Sequence, residues 1–193
     1  MNQVPLQIAY ITGRGLPGYA QLSPVQLAFI NQLARPGRRL VRLNFPYFCH
    51  AENTTGIRPP GLLTASFNNS RDYYTSRYHS FQQRYQSPVA ELLDQAANTV
   101  LLAGSCGLEL FNNLHLPVEL MTSTTLISYG AVARQRPVCR HILIQGDQDW
   151  LSKIYFRRVD YKVHCGHMNY LSSPEVLAIC ERYIAHLESN EGI

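Results

Sequence analysis

A chain of 193 residues, 46% hydrophobic and 16% charged, is long enough for one domain with a real core and too short for two ordinary ones, which excludes a disordered class. The net charge of +4, with 15 of the 17 basic residues arginine, is mild and spread along the chain, so it does not call for nucleic acid. No apolar run approaches membrane-spanning length, Met1–Gly18 lacks a basic start followed by an apolar signal core, and the cysteines at 49, 106, 139, 165 and 180 form no C-x-x-C pair; a cytoplasmic protein with reduced thiols and no membrane association is expected.

Apolar strand-like runs alternate with helical patterns, which predicts a single domain over residues 1–193 with a mostly parallel sheet of about six strands and helices on both faces. The first strand is Leu6 to Ile11, ending in Thr12-Gly13-Arg14-Gly15. A helix follows with Ser23 as N-cap, Pro24 at its first position and Gln26 completing a capping box; Pro36-Gly37 stops it. The second strand is Arg39 to Phe45. A polar, Gly- and Pro-rich loop covers Ala51 to Ser70. Asp72 to Ala96 reads as one helix, or two separated at Ser87-Pro88, with Tyr74, Tyr78, Phe81 and Tyr85 on one face. Further strands are read at Thr99–Ala103, Val118–Thr122, His141–Gln145 and Tyr161–His164, and a short helix at Leu108–Leu114. The central strand, Thr99–Ala103, is expected between Leu40–Phe45 and Ile142–Gln145. The last helix begins at Ser173-Pro174, and Val176, Ile179, Cys180, Tyr183, Ile184 and Leu187 form its buried stripe.

Three segments carry chemistry. Ala103-Gly104-Ser105-Cys106-Gly107 joins a strand directly to a helix, and such a turn projects the side chain at its tip. The positions two before and two after the tip must be small. Ser105 satisfies this with Ala103 and Gly107; Cys106 satisfies it only with Gly104, since Leu108 is large, yet a thiol is intrinsically the better nucleophile. Ile142 to Asp149 is a buried strand ending in Gly146 and two carboxylates, of which Asp149 is assigned to chemistry and Asp147 to the turn. Val163-His164-Cys165-Gly166-His167 places His167 on a loop before a capped helix. His164, Cys165 and His167 lack the second ligand group that a zinc site requires, so no metal or cofactor is expected.

The order of these segments, nucleophile, then acid, then histidine, with each group just past a strand, resembles the α/β-hydrolase superfamily in a minimal form. The resemblance is best over Leu101–Gly107, Ile142–Asp149 and Gly166–Val176. Val41–Tyr47 with Pro59-Pro60 is also similar to a group of small bacterial hydrolase-like proteins. The loop after the first strand lacks the His-Gly of such families, and Leu108 stands where a second elbow glycine is usual. The resemblance implies an α/β-hydrolase-like three-layer sandwich and an esterase or thioesterase acting through an acyl-enzyme. His167 would be the base and Asp149 its orienting acid. Backbone N–H groups of the Gly13, Arg14 and Gly15 loop and of the residue after the nucleophile would form the oxyanion hole. The substrate is then a small-molecule or carrier-bound acyl compound. The alternatives are a Cys106-dependent acyltransferase or cyclase on a thioester, and a non-catalytic binding protein on the same fold. Arginines interleaved with tyrosines over residues 71–85 suit a partner-binding or acyl-binding groove better than nucleic acid.

Overall fold

The computed structural model describes residues 4–14, 20–48 and 62–191. Their strands are β1 (Val4–Ile11), β2 (Arg38–Asn44), β3 (Ala96–Gly104), β4 (Thr124–Tyr129), β5 (Arg140–Gly146) and β6 (Tyr161–Val163). All pair in parallel in one sheet of order β2-β1-β3-β4-β5-β6. The expected neighbours of the central strand are therefore corrected: β3 lies between β1 and β4, and Leu40–Phe45 falls in and beside an edge strand. Successive crossovers leave β1 on one side and continue from β3 on the other. This opens a crevice at the carboxyl ends of β1 and β3, where open α/β sheets place their sites.

Strand alternation divides the core between the two sheet faces. Leu6, Ile8 and Tyr10 of β1 and Val100 and Leu102 of β3 pack with Phe29 and Ile30 of α1 (Pro24–Gln32) and with Val176, Ile179, Cys180 and Ile184 of α7 (Pro174–Glu191). Ala9, Ile11, Leu101 and Ala103 face the other side. There they meet Phe81, Tyr85, Val89 and Leu93 of α3 (His79–Leu93) and Leu108, Leu110 and Phe111 of α4 (Gly107–Asn113). The result is a three-layer α/β sandwich. The capping box at Ser23 forms as read: the Gln26 N–H donates to the Ser23 hydroxyl and the Ser23 N–H to Gln26 Oε1.

Three helical readings change. Val118–Thr122 is a helix, α5, and the fourth strand is Thr124–Tyr129, all six residues buried. That strand hides in sequence because Thr-Thr-Leu-Ile-Ser-Tyr looks polar. Two of its hydroxyls are satisfied by main chain, Thr124 donating to the Leu120 carbonyl (2.6 Å) and Ser128 to that of Ala103 (3.1 Å). The helix expected from Asp72 starts earlier, as α2 (Leu62–Thr75), inside the segment read as loop. It breaks at Ser76–Tyr78, while Pro88 sits within α3. This break dissolves the predicted aromatic stripe: Phe81 and Tyr85 are buried, whereas Tyr74 and Tyr78 are exposed. Pro59-Pro60 lies outside the described residues. Among the described residues no helix is long and apolar enough to cross a membrane.

Candidate active site

The turn from β3 into α4 puts Ser105 at its tip with φ +51°, a left-handed conformation that is strained for a residue with a Cβ. The neighbours explain how the chain tolerates it. A Cβ on Gly107 would overlap the Ile11 carbonyl of β1, and one on Gly104 would lie 2.7 Å from the Tyr129 ring. The Ser105 N–H donates to the Tyr129 carbonyl (3.1 Å), and its own carbonyl accepts from Val132 (2.9 Å). Leu108 turns fully into the core, which suits Ser105 at the tip and not Cys106.

Ser105, His167 and Asp149 form one hydrogen-bonded chain. The Ser105 Oγ to His167 Nε2 distance is 3.2 Å and the His167 Nδ1 to Asp149 Oδ2 distance is 2.9 Å. Asp149 is completely buried at the N-cap of α6 (Trp150–Tyr155). Burial pushes its carboxyl up, but hydrogen bonds from His167, from the Tyr170 hydroxyl (2.7 Å) and from the Ser152 N–H (3.1 Å) outweigh that and hold it well below the usual carboxylate range. An ionised Asp149 only accepts, so Nδ1 carries the ring proton. In the neutral imidazole Nε2 is then the acceptor, and the Ser105 hydroxyl donates to it.

Tyr170 had no signal in the sequence beyond its nearness to His167. Its hydroxyl also accepts from the Gly146 N–H at the end of β5 (2.7 Å). Its ring needs Gly130, at φ +58°, where a Cβ would meet Tyr170 at 2.6 Å and Asp149 Oδ2 at 3.1 Å. The helix cap that follows this turn is made by Asp149, so Asp147 keeps only its place in the turn after β5. It lies exposed beside His164 (2.7 Å), in a second acid–histidine pair that does not reach Ser105. Gly166 has φ in the ordinary range and open space around its α-carbon, so no conformation unique to glycine is required beside His167.

The loop after β1 differs from expectation. The Arg14 N–H, expected to face an oxyanion, donates instead to Asp72 Oδ2 (2.8 Å), and the Arg14 guanidinium pairs with the same carboxylate. The Thr12 N–H donates to Asn44 Oδ1 (3.0 Å). This leaves the Gly13 N–H, on a residue that lies against the Cys106 thiol. Gly15 lies outside the described residues. Among the described residues no group of three or more His, Cys, Asp or Glu side chains is arranged to hold a metal ion.

Cys106 is buried at 2% exposure, and burial pushes its thiol up to about 12, with the nearby Asp72 charge adding to the rise. An unperturbed thiol titrates near 8.5, and only the thiolate attacks. In the native protein Cys106 is thus expected to stay unmodified by iodoacetamide at pH 8 and to react fully once the chain is unfolded. Peptide mapping before and after guanidinium treatment checks this; stoichiometric native alkylation at Cys106 is the contrary result.

Fold and site together define a three-layer α/β protein of hydrolase-like architecture. A solved structure similar to it is the crystal structure of esterase PE8, with a TM-score of 0.55 and 14% identity over 95% of this chain and 93% of that one; at this identity the likeness concerns the fold. No protein-family model and no curated protein matches the chain.

Proposed function

We propose that the protein is a serine hydrolase that cleaves an ester or thioester through an acyl-enzyme on Ser105. The observation that carries this reading is the Ser105–His167–Asp149 hydrogen-bonded chain, built on a strained strand-to-helix turn at the carboxyl edge of the sheet. His167 Nε2 takes the Ser105 proton as Oγ attacks the acyl carbon. The proton then passes to the leaving alkoxide or thiolate as its bond to carbon breaks. Water, deprotonated by the same imidazole, attacks the acyl-serine, and Ser105 leaves with the proton returned to it. Asp149 fixes the tautomer and stabilises the imidazolium. The oxyanion is assigned to the N–H groups of Cys106 and Gly13, since the neighbouring Thr12 and Arg14 N–H groups are held by Asn44 and Asp72.

The competing thiol chemistry at Cys106 has the burial and raised pKa of that group against it. The distinguishing experiment combines turnover with labelling. On a panel of p-nitrophenyl esters and acyl-thioesters of increasing chain length we expect hydrolysis of at least one class. A fluorophosphonate should stop it with one adduct, on the peptide holding Ser105. An adduct elsewhere, or no turnover across both classes, sinks this reading and leaves a binding protein on the same fold.

A further inference from the structure

Glu109, the third residue of α4 and four positions after Ser105, is buried at 1% exposure, and its carboxylate is already fully engaged. It accepts from the Arg134 N–H (3.0 Å), from Arg134 Nε (2.7 Å) and from Asn113 Nδ2 (3.3 Å). Burial pushes the Glu109 carboxyl up, but these Arg134 and Asn113 contacts prevail and hold it below its ordinary range. Charge balance here is therefore complete without a second arginine. Arg77 is nevertheless present. It touches Glu109 only through Nε, at 3.3 Å, and it is held by ring faces instead, 4.5 Å from the Tyr73 centroid and 5.3 Å from that of Tyr74. Its two terminal nitrogens make no hydrogen bond among the described residues. Nearby, Asp72 is matched by Arg14, so two guanidinium groups face one carboxylate and one positive charge is in excess.

This charge sits on the flank of α4, the helix that follows the Ser105 turn. The Val132 N–H donates to the Ser105 carbonyl, and Arg134 follows two residues later. Glu109 is the third residue of α4, the helix into which the Ser105 turn leads. Tyr73 packs on Tyr155 with ring centroids 6.0 Å apart, and Tyr155 closes the helix that Asp149 caps, so α2 and α6 meet on this flank. The side chains of Arg77 and Arg134 are 31% and 55% exposed, open to a ligand. A guanidinium seated over aromatic rings, with both terminal nitrogens free of hydrogen bonds among the described residues, is suited to bidentate binding of a carboxylate or phosphate.

We propose that Arg77, with Arg134 beside it, forms an anion subsite of the Ser105 site, selecting an ester or thioester whose acyl or leaving group carries a carboxylate or phosphate. The proposal rests on the hydrolase reading and deepens it to a substrate class. Two matched pairs test it. The first is the p-nitrophenyl hemiester of glutarate against p-nitrophenyl valerate. The second is an acyl-phosphopantetheine against the same acyl-pantetheine. We expect the anionic member of at least one pair to have the higher kcat/KM, and Arg77→Met to reduce that ratio roughly tenfold, the loss of one charge-assisted contact. The pair that responds identifies carboxylate or phosphate. Arg182→Met, on the exposed side of α7, should leave the ratio as it is. Calorimetry on Ser105→Ala supplies a reading without turnover: glutarate or inorganic phosphate should bind, and adding Arg77→Met should abolish binding. No anionic preference in either pair, or a preference indifferent to Arg77→Met, overturns the subsite and leaves the hydrolase reading standing. Arg77-dependent anion binding without any turnover keeps the subsite and removes the hydrolase reading.

Discussion

Under the proposed acyl-enzyme mechanism, replacing His167 by alanine is expected to lower kcat/KM on the best ester or thioester by about 10⁴- to 10⁶-fold, on the order seen when a triad base is removed. The size of the effect follows from the arrangement around the ring. A serine hydroxyl is a poor nucleophile at neutral pH, and His167 Nε2, 3.2 Å from Oγ, is the acceptor poised to take its proton. The ring can do so only in the tautomer that Asp149 enforces from 2.9 Å, so Asp149→Asn should cost roughly 10⁴-fold while leaving the fold intact. Asp149 also fixes the behaviour in acid. Its folded pKa lies below the unfolded one, so its contribution to stability is complete above about pH 4 and is lost only as the pH falls through the depressed folded value. The acid thus stays charged wherever esters are assayed. His167 is partly exposed, its side chain at 24%, and truncating it should barely move the melting temperature. Activity within tenfold of the parent in a folded His167→Ala protein contradicts the mechanism.

The largest effect on stability is expected from Gly107→Ala. The added methyl would overlap the Ile11 carbonyl, which belongs to backbone in the middle of the sheet and cannot swing aside as a side chain could. Overpacking at such a place costs about 3 kcal/mol or more, equivalent to a melting-temperature drop of roughly 6–12 °C for a chain of this size. Gly166→Ala is the matched control: the site is open and φ is ordinary, so the change should stay within about 0.5 kcal/mol. Urea unfolding of the two variants side by side gives the comparison. Equal midpoints would mean that the elbow relaxes in a way the close approach to Ile11 does not suggest.

Ser105 illustrates how much of the site the sequence carried. The small residues around it have a local cause, crowding at a sharp turn, and a local cause leaves a local trace. The same holds for Asp149, just past a strand written as a dense apolar run, while His167 follows the short Tyr161–Val163 strand before a capped helix. What stayed illegible depended on partners distant in sequence. Arg14 and Asp72 are 58 residues apart, and nothing near either reveals that the Arg14 N–H is engaged by a carboxylate. Tyr170 reads as a core tyrosine until its hydroxyl is found between Gly146 and Asp149. β4 hides in the sequence because Ser and Thr hydroxyls can donate to neighbouring carbonyls, which makes a polar-looking segment fully compatible with burial. Strand order was equally beyond reach, since apolar runs announce strands without saying which lie side by side.

The double role of the Tyr170 hydroxyl has a mechanical corollary. One oxygen receives the last amide of β5 and passes a proton contact to the carboxylate of Asp149. The rim of the sheet and the charge of the acid are therefore tethered to the same atom. Any loosening of that strand end would be transmitted to the carboxylate as a lost donor, and from there to the imidazole as a lost orientation. Order in the framework and readiness of the site are, at this point of the molecule, a single property.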